Sequence, residues 1–224
     1  MDIGEVFDEL IDNYTENMCR WVPHYLKLVV ETIDSVPIDA QVNKILDLGC
    51  GNGNVSILAT ARFPQAGIYL VDASHGMLDV ARSRLQGKVI LNCSHINIQD
   101  LHFDEPNFDL VTACFSLHHL SGQEKQDIFH RIKGWLKSGG FFSYSDLFVE
   151  KDDSETHSKV LKKWESFVRQ NSNGSQDWDF LSDHYMRYDW PNREAIQQEW
   201  LTNAGFSSFK WHRFDEVWAH CLAG

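Results

Sequence analysis

Short apolar runs alternate with helical periodicity along most of this chain, a pattern that predicts a mainly parallel sheet covered by helices. Lys44–Leu48 reads as a buried strand running into glycines, followed by a helix over residues 55–62. Residues 67–71 form a second strand. Ser74 is placed to cap a helix with Met77, Leu78, Ala81 and Leu85 on one face, and Gly87 stops it. Residues 89–93 and 108–115 are the third and fourth strands. Ser121 and Glu124 make a capping box before a helix with Ile128, Phe129, Ile132, Trp135 and Leu136 facing inward. Gly139-Gly140 is expected to end that helix and open a fifth strand, residues 141–148. Asn192 is the expected cap of a last helix that carries Ile196, Trp200, Leu201 and Ala204 and ends at Gly205. Two strands near 207–214 and 216–222 have almost nothing between them, which predicts an antiparallel hairpin at the sheet edge.

Two segments fall outside the alternation. Residues 1–40 read as helical, with Tyr25, Leu28, Val29 and Ile33 on one face. Residues 150–191 begin as a charged helix and pass through the loop signal Asn171-Ser172-Asn173-Gly174-Ser175. An aromatic stretch with Trp178, Phe180, His184, Tyr185, Tyr188 and Trp190 follows, as cap core or as substrate wall. The expected organisation is one domain over 1–224: a helical cover (1–40), a binding core (41–149), an inserted cap (150–191), and a last helix with the edge hairpin (192–224).

Composition narrows the function. The chain has 32 acidic against 20 basic residues, a net charge of −12, and no local run of bases beyond Lys162-Lys163. A nucleic-acid partner, which would need phosphates neutralised, is disfavoured. No uncharged apolar run approaches the roughly 18 residues of a membrane helix. The acidic start, Met1-Asp2-Ile3-Gly4-Glu5, lacks the basic region of a secretory signal, so a cytoplasmic location without membrane attachment is expected. Cysteines 19, 50, 93, 114 and 221 are odd in number and scattered, which predicts reduced thiols rather than a disulfide framework or a structural zinc site. Oligomeric state has no signal in the sequence.

The run Ile45-Leu46-Asp47-Leu48-Gly49-Cys50-Gly51-Asn52-Gly53-Asn54 places a G-x-G-x-G pattern between a strand and a helix. Glycine suits a sharp turn where a ligand must approach bare backbone. Asp47, just ahead of the turn, is expected near a cationic ligand group. Asp72 stands nineteen residues after Gly53, at the end of the second strand, where an acid can accept from both hydroxyls of a ribose. A nicotinamide dehydrogenase would prefer G-x-G-x-x-G, and here the third glycine comes one residue early.

Over residues 43–148 the chain resembles class I S-adenosylmethionine-dependent methyltransferases, in particular the small-molecule branch that includes quinone-ring and natural-product enzymes. The resemblance implies a Rossmann-like α/β fold: a seven-stranded, mainly parallel sheet with an antiparallel C-terminal hairpin and helices on both faces. It implies S-adenosylmethionine as cofactor, S-adenosylhomocysteine as product and a small-molecule acceptor. Asp47, Gly49, Gly51 and Gly53 match the motif that wraps the methionine portion, Asp72 the ribose-binding acid, and Met77 the apolar residue beside the adenine. Asn97, followed by Ile98, stands where the family usually has an acid facing the adenine amino group. Ala113-Cys114-Phe115-Ser116-Leu117-His118-His119-Leu120 resembles the fourth-strand motif beside the sulfonium. Tyr14 matches an N-terminal tyrosine that folds over the cofactor in similar enzymes. A non-catalytic protein binding the cofactor for regulation or assembly is the alternative.

Methyl transfer from a sulfonium is an in-line displacement, in which a protein mainly aligns the acceptor and excludes water. The candidate proton acceptors are His118 or His119, then Asp146 at the end of the fifth strand, then His184. Adjacent histidines are expected to diverge, so that at most one faces the pocket. No metal is expected, because no second ligand cluster stands at convincing spacing from the pair.

Overall fold

The computed structural model describes residues 3–8, 10–152, 154–172 and 176–224. Residues 173–175 of the expected loop and the first two residues lie outside that range. Strands β1 (Lys44–Leu48), β2 (Gly67–Asp72), β3 (Ile90–His95), β4 (Phe108–Cys114), β5 (Leu136–Leu147), β6 (Phe209–Arg213) and β7 (Trp218–Ala223) form one sheet in the order β3-β2-β1-β4-β5-β7-β6. β1 to β5 pair in parallel, and β7 runs antiparallel between β5 and β6. The expected Rossmann-like sheet and its closing hairpin are both present. Strand order reverses between β1 and β4, which makes the carboxyl ends of these strands the natural place for a ligand.

The helices are α1 (Ile3–Asp8), α2 (Tyr14–Trp21), α3 (Tyr25–Asp34), α4 (Asn54–Arg62), α5 (His75–Arg84), α6 (Gly122–Trp135), α7 (Glu155–Asn171), α8 (Gln176–Tyr188) and α9 (Glu194–Asn203). The period-2 pleat of β1 sorts its side chains between two cores. Ile45 packs with Leu28 and Ile33 of α3 and Ala59 of α4, while Leu46 and Leu48 pack with Ile128 and Phe129 of α6 and Leu201 of α9. Burial on both faces is why β1 reads as a nearly unbroken apolar run.

Capping follows the sequence at two helices and departs from it at two others. Ser74 accepts from the Met77 N–H, and the Ser121–Glu124 box is closed in both directions. The helix before the fifth strand does not run to Gly139-Gly140. It ends at Trp135, and Leu136 already pairs with Phe108. The ladder then shifts register, with Gly139 at φ +77°, and resumes at Leu110 and Phe141, so these glycines make a bulge rather than a helix stop. Asn192 does not cap α9; Arg193 holds that position without a side-chain bond. The Asn192 carboxamide oxygen instead accepts from Lys125 Nζ at 2.9 Å. Among the described residues no helix is long and apolar enough to cross a membrane.

Candidate active site

The turn from β1 into α4 carries Gly49, Gly51 and Gly53 at φ +64°, +51° and +84°. Two of them are required for different reasons. A Cβ on Gly51 would meet only the Tyr14 ring, at 3.9 Å, so this residue presents bare backbone to an open cleft. A Cβ on Gly53 would lie 3.2 Å from Ala81, so this one lets α4 approach α5. The Gly51 N–H donates to Asp72 Oδ2 at 2.7 Å and the Ser74 N–H to Asp72 Oδ1 at 2.8 Å. These bonds hold the carboxylate at the rim of the turn. Burial still outweighs them, and the Asp72 carboxyl sits above its ordinary range.

A cleft of about 640 Å³ opens along this edge, walled by Tyr14, Gly49, Gly51, Asp72, Met77 and Ile98, with Asn97 beside them. Asp47, Gly53 and Cys114 do not line it. Asp47 is 1% exposed and accepts from Ser56 of α4 and, at 2.8 Å, from Thr112 of β4. Contrary to the expected contact with a cationic group, it anchors the turn from beneath, and burial pushes its carboxyl up to about 6. Cys114 is half-buried, and burial raises its thiol. Sequence reasoning missed Thr15 and Asp8. Asn52 Nδ2 donates to the Thr15 hydroxyl at 2.9 Å, and the Gly76 N–H donates to Asp8 at 3.1 Å. Both bonds fasten the N-terminal helices over the cleft.

A second cavity, of about 610 Å³, adjoins the first. Its walls include Trp21 of α2, Trp164 of α7, Phe180 of α8 and Trp218 of β7, and its polar surface comes from His118, His119, His184 and Asp189. Phe7, Tyr14, Phe115 and His119 border both cavities, so the two adjoin across a shared wall. Phe115 holds φ +55°, a region that costs a side-chain-bearing residue energy, and stands at their junction.

The polar surface is organised by Asp189, which the sequence did not single out. Residues 117–119 form one 3-10 turn, and the rings of His118 and His119 lie 4.0 Å apart on the same chamber rather than diverging. The Trp190 N–H donates to the His118 carbonyl at 2.6 Å, which carries Asp189 into their midst. Asp189 Oδ1 lies 3.1 Å from His119 Nδ1, 3.5 Å from His184 Nε2 and 3.8 Å from His118 Nε2. His119 Nδ1 also faces the Tyr188 carbonyl at 3.3 Å. Ligating atoms of His118, His119 and Asp189 thus lie within 4.8 Å of one another, a convergence that sequence spacing could not reveal.

Asp146 lines neither cavity. Its Oδ1 lies 2.5 Å from His118 Nδ1, and its Oδ2 accepts from the His118 N–H at 3.1 Å. Burial alone would lower the His118 pKa, but Asp146 and Asp189 together raise it above the ordinary imidazole value. Burial, reinforced by His118, lowers His119, and burial lowers His184 to about 4.

Residues 45–140 match the family model described as a methyltransferase domain. The chain is 29% identical over 219 residues to a demethylmenaquinone methyltransferase of Clavibacter sepedonicus, covering 94% of this chain and 84% of that one. It is 28% identical to a carboxy-S-adenosyl-L-methionine synthase of Actinobacillus succinogenes, covering 99% and 88%. Among solved structures, a possible histamine N-methyltransferase of Thermotoga maritima superposes with a TM-score of 0.64 at 13% identity, covering 99% of each chain.

These likenesses support membership of the class I S-adenosylmethionine-dependent methyltransferases. The methyltransferase cleft fits that cofactor. Gly51 leaves open space where a Cβ would stand, and Asp72 keeps lone pairs on the cleft wall for a diol. Met77 and Ile98 supply apolar faces for a purine, and Asn97 stands beside them.

Proposed function

We propose that this methyltransferase acts on a small-molecule acceptor held in the aromatic chamber, with His119 as the proton acceptor. The carrying observation is the wall that the chamber shares with the cofactor cleft, made by Phe7, Tyr14, Phe115 and His119. When bound, S-adenosylmethionine supplies a methyl group activated by a sulfonium. Gly49, Gly51, Asp72, Met77, Asn97 and Ile98 would hold it. The aromatic walls orient the acceptor and keep water out.

His119 Nδ1 faces two acceptors, the Tyr188 carbonyl and Asp189, so its proton belongs on that nitrogen. Nε2 then carries the lone pair, and it is buried without a partner at the junction. Proton transfer from the acceptor to His119 Nε2 is the step this geometry supports. Asp146 and His118 serve as positioning residues behind it. The reading treats residues 1–40 and 150–191 as cover on a single unit. It also includes a cytoplasmic location, supported by five free cysteines.

The name of the Clavibacter relative, which acts on demethylmenaquinone, supports a small organic acceptor. Incubation of the protein with methyl-tritiated cofactor and a fractionated metabolite extract tests the reading. Label is expected in a low-molecular-weight product. Tight cofactor binding without transfer to any fraction would overturn it.

A further inference from the structure

We infer that the acceptor is a flat, uncharged or cationic aromatic molecule with two hydrogen-bond donors, one met by His119 and the other by His184. This rests on the methyl-transfer reading and specifies what the chamber selects. The first observation is a pair of lone pairs. His184 Nε2 lies 3.5 Å from Asp189 Oδ1, a charge contact that favours the proton of the neutral ring on that nitrogen. Its Nδ1 is therefore an acceptor, buried and without a partner, as is His119 Nε2. Burial holds both rings toward the neutral form. The two imidazoles thus present one nitrogen each to the Asp189 charge, whose Oδ1 is itself buried without a hydrogen-bond partner, and leave the other two nitrogens as acceptors for a ligand. Unpaired buried acceptors are costly, and a ligand with two donors would remove that cost twice.

The second observation is charge. Neither cavity has a lysine or arginine among its described lining residues. The neighbouring cations are occupied elsewhere. Lys125 Nζ donates to the carbonyls of Leu120 and Trp190 and to Asn192 Oδ1, and Lys151 Nζ to the carbonyls of Tyr185, Met186 and Asp189. A carboxylate, phosphate or sulfate on the acceptor would meet the Asp189 charge and two lone pairs, while His118, the lining group held toward its cationic form, is already paired with Asp146.

The third observation is shape and surface. Trp21, Phe115, Trp164, Phe180 and Trp218 enclose the chamber, and aromatic faces suit a flat ring, or a cation, far better than a hydrated anion.

The test measures binding rather than turnover. Calorimetry with S-adenosylhomocysteine present would compare 2,3-dihydroxynaphthalene, 2-naphthol, 2-methoxynaphthalene and 2-naphthoate. Affinity should fall in that order, by about tenfold for each donor removed, with no measurable binding of naphthoate. His184→Phe should bring the diol down to the level of 2-naphthol and leave 2-naphthol unchanged. His184→Gln, which keeps a carbonyl acceptor, should recover part of the difference. Naphthoate binding as tightly as the diol would overturn the inference. So would an equal loss for every probe in His184→Phe. Stoichiometric metal in the purified protein, bound through His119 and Asp189, would overturn it too, because Nδ1 would then be a ligand rather than a donor. The two readings fail differently. Methyl transfer to an anionic acceptor would sink this inference and leave the methyltransferase reading intact. The expected probe ranking without transfer to any acceptor would do the reverse.

Discussion

Asp189 Oδ1 and His119 Nδ1 lie 3.1 Å apart although they come from distant parts of the chain, one beyond α8 and the other from the turn after β4. That contact decides which nitrogen of His119 is basic. On the proposed reading it also makes His119 rather than His118 the proton acceptor. His119→Asn should leave cofactor affinity nearly intact and slow single-turnover transfer by roughly 10²–10⁴-fold. Because burial holds the His119 pKa below its ordinary value, the wild-type rate should stay constant from pH 8 down past about 6.5 before it declines. Wild-type transfer by His119→Asn would assign the ring to the scaffold.

Asp146 acts at one remove. It raises the His118 pKa, so the interaction adds stability that is fully present below the unfolded value and is lost as pH rises through the folded one. Asp146→Asn should therefore cost more stability at pH 6 than at pH 9 in denaturant titrations. The His118 ring should also titrate at lower pH by NMR. Equal losses at both pH values would leave Asp146 without the electrostatic role.

The cofactor contacts are testable separately. Asp72→Ala should weaken S-adenosylmethionine and S-adenosylhomocysteine alike, by about 1.5–3 kcal/mol, the scale of a hydrogen bond to a charged group. Gly51→Val should abolish binding of both, because the new side chain points into the cleft at φ +51°. Calorimetry that finds either variant with unchanged affinity would remove the corresponding contact.

His220 offers a stability probe remote from the chemistry. Burial lowers its pKa to about 3, and the residue is 1% exposed in β7, between β5 and β6. Between about 3 and the unfolded value near 6.5 the unfolded chain binds more protons, so this contribution is complete above that window and fades as pH falls. His220→Gln should lessen the loss of stability between pH 7 and pH 5, as read from urea midpoints. An unchanged loss would mean that other groups carry it.

Residues 1–40 and 150–191 supply most of the chamber wall, so amide exchange in both should slow when cofactor and acceptor are bound. Identical exchange with and without ligands would make them fixed packing.

How much was legible beforehand differs by region. The core could be read because β1 is buried on both faces, and because the glycine turn and Asp72 are local in sequence. Gly139-Gly140 misled because the same residue that stops helices also opens bulges, and only the pairing of Leu136 with Phe108 distinguishes the two. Asp47 misled because a carboxylate beside a glycine turn can face the ligand or the scaffold, and Ser56 and Thr112 decide it. The chamber was least legible. Asp189 lies seventy residues beyond His119, with no periodicity connecting them, and the Trp190–His118 backbone bond that joins them leaves no trace in composition.

Phe115 carries a consequence for anyone who would alter this protein. Its left-handed backbone costs roughly 1–2 kcal/mol, which glycine would relieve. Its ring, however, packs between Tyr25 and Trp218 at 5.5 and 5.9 Å, and emptying that space would cost about 3–5 kcal/mol. The balance favours the strained aromatic. The partition between the two cavities is therefore under tension at this point, and a smaller residue there would merge two rooms into one while loosening the wall that both share.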